Sequence, residues 1–241
     1  MRLVRFTHPR VPAPVTGRLV GEMVRTDEGE FPLSEIKLLP PCTPTKIICL
    51  GRNYADHAKE LGNEVPDRPL LFFKPPSAVI GPEDEIILPE SERVDYEAEL
   101  AIVIGKRCRN VKPEDVMKFI LGYTCMNDVT DRAAQKWEKN WVRAKGFDTS
   151  APLGPVIVTA DEISGPFRVI SRVNGELRQD GSTADFIFPI PEIITEITSR
   201  ITLEPGDIIA TGTPAGVGPL QHGDIVEIEI EGIGVLRNYV R

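Results

Sequence analysis

The 241-residue chain carries only three histidines and four cysteines. The cysteines, Cys42, Cys49, Cys108 and Cys125, show no CxxC spacing. That excludes a zinc ribbon and a dense disulfide framework, and it suits free thiols in a reducing, cytoplasmic compartment. Of the histidines only His57 has neighbours that could share chemistry with it, so a histidine-rich metal site is excluded. There is no basic run of five or more residues, and the net charge is −8. An acidic chain without a basic footprint is not expected to bind nucleic acid nonspecifically. No apolar stretch approaches the ~18–20 residues of a membrane span. The first residues also lack the apolar core of a secretory signal. Neither a Walker lysine nor a GxGxxG spacing occurs, which leaves nucleotide binding without support.

What is present is an ordinary globular composition, 41% hydrophobic and 27% charged. The 22 prolines promise many loops and short elements. Residues 1–42 read as a small N-terminal β unit, closed by the Pro-rich connector after Leu39, and residues 43–241 as the main domain. In the main domain Lys46–Leu50, Leu70–Lys74, Glu85–Leu88, Val94–Ile104 and Leu121–Asn127 read as strands. So do Asp207–Thr211, Asp224–Glu231 and Gly234–Val240. Short helices are expected over Ala55–Leu61, from Pro113 to Phe119, from Asp128 to about Trp141, and over Phe188–Arg200. Asn174-Gly175 is a hairpin signal. Strands without βαβ alternation favour an α+β fold on mixed or antiparallel sheets.

Acidic residues supply the first chemical signal. Along Val94–Ile104 the two-residue period puts Asp95, Glu97 and Glu99 on one face, with Glu97 and Glu99 about 6.6 Å apart along the strand. Two such carboxylates could converge on a divalent cation. A solvated strand face would look the same, and Glu227, Glu229 and Glu231 on a second strand repeat the pattern. Asp128 adds a carboxylate at a strand-to-helix junction, where it could instead cap the helix. Asp128, Arg132 and Gln135 fall on one expected helix face, offering a ligand, a guanidinium and an amide. His57 and Glu60, three residues apart on a short helix, could polarise a water together. Lys145 could bind an anion. The loop Thr211-Gly212-Thr213-Pro-Ala-Gly216 could hold a carboxylate on its N–H groups.

The order of these segments is more specific than any one of them. GRNYADHAKE, LFFKPPSAVIG, DYEAELAIVIG, GYTCMNDVTDRAAQ, RAKGFD and PGDIIATGTPAGVG follow one another over residues 43–241. The series resembles the fumarylacetoacetate hydrolase family in its short form. The resemblance implies a mixed β-roll and a homodimer. It also implies Mg²⁺ or a similar cation, Mn²⁺ or Ca²⁺, on Glu97, Glu99 and Asp128. It implies a His57–Glu60 dyad on a lid, and Lys145, Arg132, Gln135, Gly212 and Thr213 around a small 2-oxo or dicarboxylic acid. The expected activities are acylpyruvate hydrolysis and oxaloacetate decarboxylation. Isomerisation of 2-hydroxyhepta-2,4-diene-1,7-dioate, or decarboxylation of a related tricarboxylate, is the enzymatic alternative. A ligand-binding homologue without turnover is the non-enzymatic one.

Overall fold

The computed structural model describes residues 1–60, 62 and 64–241. Its architecture is α+β, dominated by sheet with few short helices. One twelve-stranded mixed sheet forms the frame. Its path runs Gly29–Pro32, Met23–Thr26, Val15–Val20, Arg2–Thr7, Ala151–Thr159, Ile120–Asn127, Ala98–Ile104, Ile208–Ala210, Ile47–Gly51, Leu70–Lys74. A five-stranded sheet (Glu176–Ser182, Arg168–Val173, Ile225–Ile230, Gly234–Val240, Glu85–Ile86) packs across it. A three-stranded ribbon joins Thr130–Asp131, Val94–Tyr96 and Gly218–Pro219. Residues 1–42 form no separate sheet, because Arg2 and Leu3 pair with Val158 and Ile157.

The central strand Ala98–Ile104 is buried on both faces. Leu100, Ile102 and Ile104 enter the main core with Val169, Val226, Ile228, Ile230 and the helix residues Ile193, Ile194 and Ile197. Ala101 and Val103 face a smaller core of Ile47, Cys49, Phe72, Met126 and Leu153. By the two-residue period of a strand, Glu99 opens onto that second face.

Several expected elements are corrected. Val94–Ile104 is two strands, not one, and the break falls at Glu97. There the Glu97 N–H donates to the Asn127 side chain at 2.9 Å, and the Glu97 carbonyl accepts from Asp128 N at 2.9 Å. The chain thus crosses from the ribbon to the large sheet at this residue. The helix expected from Asp128 begins at Arg132 and is capped by Asp131, whose carboxylate accepts from Ala134 N at 3.0 Å. Asp128 therefore neither caps that helix nor shares its face with Arg132 and Gln135. The helix stops at Trp137, and a second one covers Val142–Lys145. Trp141 between them is left-handed, with φ 56°. The Pro113 segment is a 3₁₀ helix over Pro113–Lys118, Glu85–Leu88 shortens to Glu85–Ile86, and the last helix is Ile190–Arg200. The helix expected over Ala55–Leu61 is Ala55–Glu60, and Leu61 lies outside the described residues. The Asn174-Gly175 hairpin stands as expected, with φ of 54° and 80°.

Candidate active site

Both short helices after Asp128 and the end of strand Leu70–Lys74 converge on the start of the central strand. Glu97, Glu99 and Asp128 meet there, at most 4% exposed, with one oxygen from each lying within 4.8 Å of the others. The cations around them are already engaged. Lys145 Nζ donates to Glu97 at 2.7 Å and to Asp128 at 2.6 Å. Lys74 Nζ donates to Asp128 at 2.7 Å and to the Val129 carbonyl at 3.2 Å. Arg132 donates from Nε to Asp95 at 2.8 Å, from NH2 to Glu97 at 2.5 Å and from NH1 to Gln135 at 2.9 Å. Arg93, half exposed, grips the far side of Asp95 at 2.7 and 3.0 Å.

Four buried carboxylates (Asp95, Glu97, Glu99, Asp128) thus meet three buried cations. Glu99 is the one left over. It accepts from Gly212 N at 2.8 Å and makes no ion pair among the described residues. Burial, and then the charges of Asp128 and Glu97, push its carboxyl well above the usual range. Burial acts the same way on Glu97, but Lys145 and Arg132 outweigh it and hold that carboxyl well below the usual range. Lys145 is raised: its burial is more than offset by Asp128 and Glu97. A buried, uncompensated carboxylate beside two others is what an all-oxygen divalent-cation site requires. The residues fit the cation that the resemblance implied.

A cavity of about 320 Å³ opens over this group. His57, Glu97, Glu99, Arg132, Gln135, Lys145 and Thr213 line it, as the sequence suggested they could. Asp128, Glu60 and Gly212 stand behind them. Glu60 accepts from His57 Nδ1 at 3.3 Å and from Gly216 N at 3.0 Å, tying the Ala55–Glu60 helix to the glycine-rich loop. Burial chiefly lowers the His57 pKa, against the opposing pull of Glu97 and Glu60. Gln179 holds the same loop, donating to Thr213 Oγ1 at 2.7 Å and to the Pro214 carbonyl at 2.7 Å. Asn53, fully buried, fastens the chain just before the Ala55–Glu60 helix by hydrogen bonds to Thr211 O and to Phe188 N and O.

Sequence reasoning missed Lys74, Asn53 and Gln179, and the cavity walls Arg52, Phe72 and Trp141. The alternation of Leu70–Lys74 does place Phe72 and Lys74 on one face, and Phe72 lies 4.9 Å beneath the Lys145 ammonium. The look-alike acidic strand is a solvated face: Val226, Ile228 and Ile230 are buried, and Glu229 pairs with Arg172 at 2.6 Å.

Comparison with known proteins identifies the family. The family described as fumarylacetoacetate (FAA) hydrolase C-terminal matches residues 46–241. Oxaloacetate tautomerase YisK of Bacillus subtilis is 46% identical over 225 residues, covering 87% of this chain and 75% of that one. Among solved structures, 5-carboxymethyl-2-hydroxymuconate delta-isomerase of Mycobacterium smegmatis superposes with a TM-score of 0.91 at 41% identity, covering 100% and 98% of the two chains. Maleylpyruvate hydrolase of Sphingobium sp. SYK-6, in complex with manganese(II) and pyruvate, gives 0.84 at 33% identity, covering 100% and 98%. No described helix is long and apolar enough to cross a membrane. The chain is an enzyme, and it belongs to the fumarylacetoacetate hydrolase family.

Proposed function

We propose that this enzyme depends on a divalent cation, Mg²⁺ foremost, and moves the C3 proton of 2-oxo and β-dicarbonyl acids. The leading reaction is keto–enol interconversion of oxaloacetate. Its decarboxylation and the hydrolysis of acylpyruvates are further outcomes of the same chemistry. One observation carries the reading: the buried carboxylate triad opens onto a cavity shared with a buried lysine and a buried histidine. The name of the B. subtilis relative supports the substrate. The four free cysteines suit a cytoplasmic setting, and a homodimer belongs to the same reading.

A divalent cation held by Glu97, Glu99 and Asp128 would supply Lewis acidity to the 2-oxo group. His57, with its Nδ1 proton directed to Glu60, keeps Nε2 as the acceptor for the C3 proton. Lys145 stays cationic at the cavity wall and stabilises the negative charge that develops as that proton leaves. Gln135 accepts from Arg132 through its carbonyl, which leaves its amide N–H groups for the substrate. Thr213 Oγ1 accepts from Gln179, so its own proton is likewise available to a carboxylate. The His57–Glu60 pair could also activate a water, which supports acylpyruvate hydrolysis as the second reading.

The test follows the decay of the enol absorbance of oxaloacetate with Mg²⁺ and in chelator. Activity is expected only with the cation. Glu97→Ala, Glu99→Ala and Asp128→Ala should each abolish it while circular dichroism stays native. Glu229→Ala, on the solvated acidic strand, should keep it. Equal losses at Glu229 and Glu99, or no turnover of oxaloacetate or acetylpyruvate with any divalent ion, would overturn the reading.

A further inference from the structure

The proposed substrate has two carboxylates, and the cations deep in the site are each already paired with the protein's own carboxylates. Lys74 and Lys145 are held by Asp128 and Glu97. Arg132 has three of its donors on Asp95, Glu97 and Gln135. These three neutralise the protein's own carboxylates. A dianion entering the cavity needs another positive group at its far end.

Arg52 lines the same cavity, half-buried, and makes no hydrogen bond or ion pair among the described residues. Its backbone is left-handed, with φ 60°. For a long L side chain that conformation is uncommon and strained, a strain that glycine would avoid. The position is also anchored on both sides. Gly51 pairs with Leu70 at the end of its strand, and Asn53 is locked by its hydrogen bonds to Thr211 and Phe188. A strained residue on a rigid mount, with its guanidinium uncommitted at a cavity wall, has the marks of a ligand-binding group. Lys136, exposed on the same rim, adds positive charge at the entrance.

We infer that Arg52 binds the distal carboxylate of a dicarboxylic 2-oxo acid and so sets the preference of this site for diacids over their neutral-ended analogues. The inference rests on the proposed reaction for the 2-oxo end but concerns the opposite end of the ligand. A guanidinium can grip that carboxylate through two parallel N–H···O bonds.

The test compares oxaloacetate with its 4-methyl ester, which keeps the carbon chain and loses only the distal charge. Binding of each to the Mg²⁺-loaded protein is measured by calorimetry, and kcat/KM is measured where turnover occurs. The wild type should bind the diacid at least about tenfold more tightly, as a charge-assisted pair requires. Arg52→Gln should erase that preference while leaving the ester within about twofold. Arg52→Gly, which suits the left-handed backbone, should do the same and guards against misfolding of the first variant. Arg52→Lys should restore part of it. Inhibition by oxalate, which has no distal group, should be unchanged in all three. No preference in the wild type, or equal losses for diacid and ester, would overturn the assignment. If neither compound is turned over but the diacid still binds more tightly through Arg52, the reaction reading falls and the assignment stands.

Discussion

Lys74 has 1% of its surface exposed and an ammonium with two partners, Asp128 and the Val129 carbonyl. Burying a charge is tolerable only when partners replace water, and removing one member of such a pair leaves the other unpaired. Lys74→Met keeps the length of the side chain and removes the charge, so Asp128 is left to Lys145 alone. The expected cost is about 3–5 kcal/mol in metal-free protein. It should be smaller with saturating Mg²⁺, because a cation on the carboxylates takes over the lost compensation. Urea unfolding of wild type and variant, in chelator and in Mg²⁺, checks both statements. A loss below about 1 kcal/mol, or the same loss in both buffers, would contradict them. Read from sequence, this lysine looks like the solvated end of an apolar strand ahead of two prolines. Only the tertiary position of Asp128, which local pattern cannot supply, explains why it points inward.

At the scale of elements, Asp207 shows how two strands distant in sequence become parallel neighbours. Its Oδ1 accepts from Thr45 N at 3.1 Å, Thr45 Oγ1 at 2.7 Å and Lys46 N at 3.2 Å, and Oδ2 accepts from Glu204 N at 2.8 Å and from Lys46 Nζ. One carboxylate thereby fixes the starts of Ile47–Gly51 and Ile208–Ala210 side by side, the pairing that carries Arg52 and the helix after it. Burial would raise its pKa, but the bonds from Lys46, Glu204 and Thr45 outweigh that and hold it below 3.8. A depressed carboxyl contributes stability that is present above its unfolded value and lost as pH falls through the folded one. Asp207→Asn should cost about 2–3 kcal/mol at neutral pH. The difference should shrink in strong acid, as pH falls through the depressed folded pKa and the wild type loses the same charge. Unfolding midpoints at the two pH values test this, and an equal difference at both would refute it. Other elements were legible or hidden for comparable reasons. The Asn174-Gly175 hairpin is written in local turn chemistry, and the Ile190–Arg200 helix in its periodic isoleucines. The start of the Arg132 helix was misplaced because Asp128 and Asp131 are both sound N-caps. The break at Glu97 was invisible because its cause, the Asn127 side chain, lies thirty residues away.

For the molecule as a whole, the question is whether the strands before residue 43 are an accessory to the enzyme or part of its frame. The family match begins at residue 46, so the earlier segment lies outside it. The packing points the other way. Arg2–Thr7 pairs with Ala151–Thr159, the Arg2 guanidinium holds the Gly232 and Ile233 carbonyls, and Val4, Phe6, Val24 and Phe31 are buried in the main core. Burying each of those four side chains contributes about 1.5–3 kcal/mol, so together they supply about 6–12 kcal/mol as an upper estimate. That is comparable to the whole net stability of a typical domain, about 5–15 kcal/mol. Deleting residues 1–42 would also bare the edge of Ala151–Thr159, a nine-residue strand with eight buried positions, and long apolar edges invite pairing between chains. We therefore propose that the boundary near residue 42 divides sequence but not stability. The fragment 43–241 should be insoluble or melt without cooperativity, as seen by size-exclusion chromatography and circular dichroism. A monodisperse fragment that melts within a few degrees of the full chain would make the N-terminal strands an independent unit. The frame that holds Glu99 and Arg52 would then have to be stable from residue 43 onward alone.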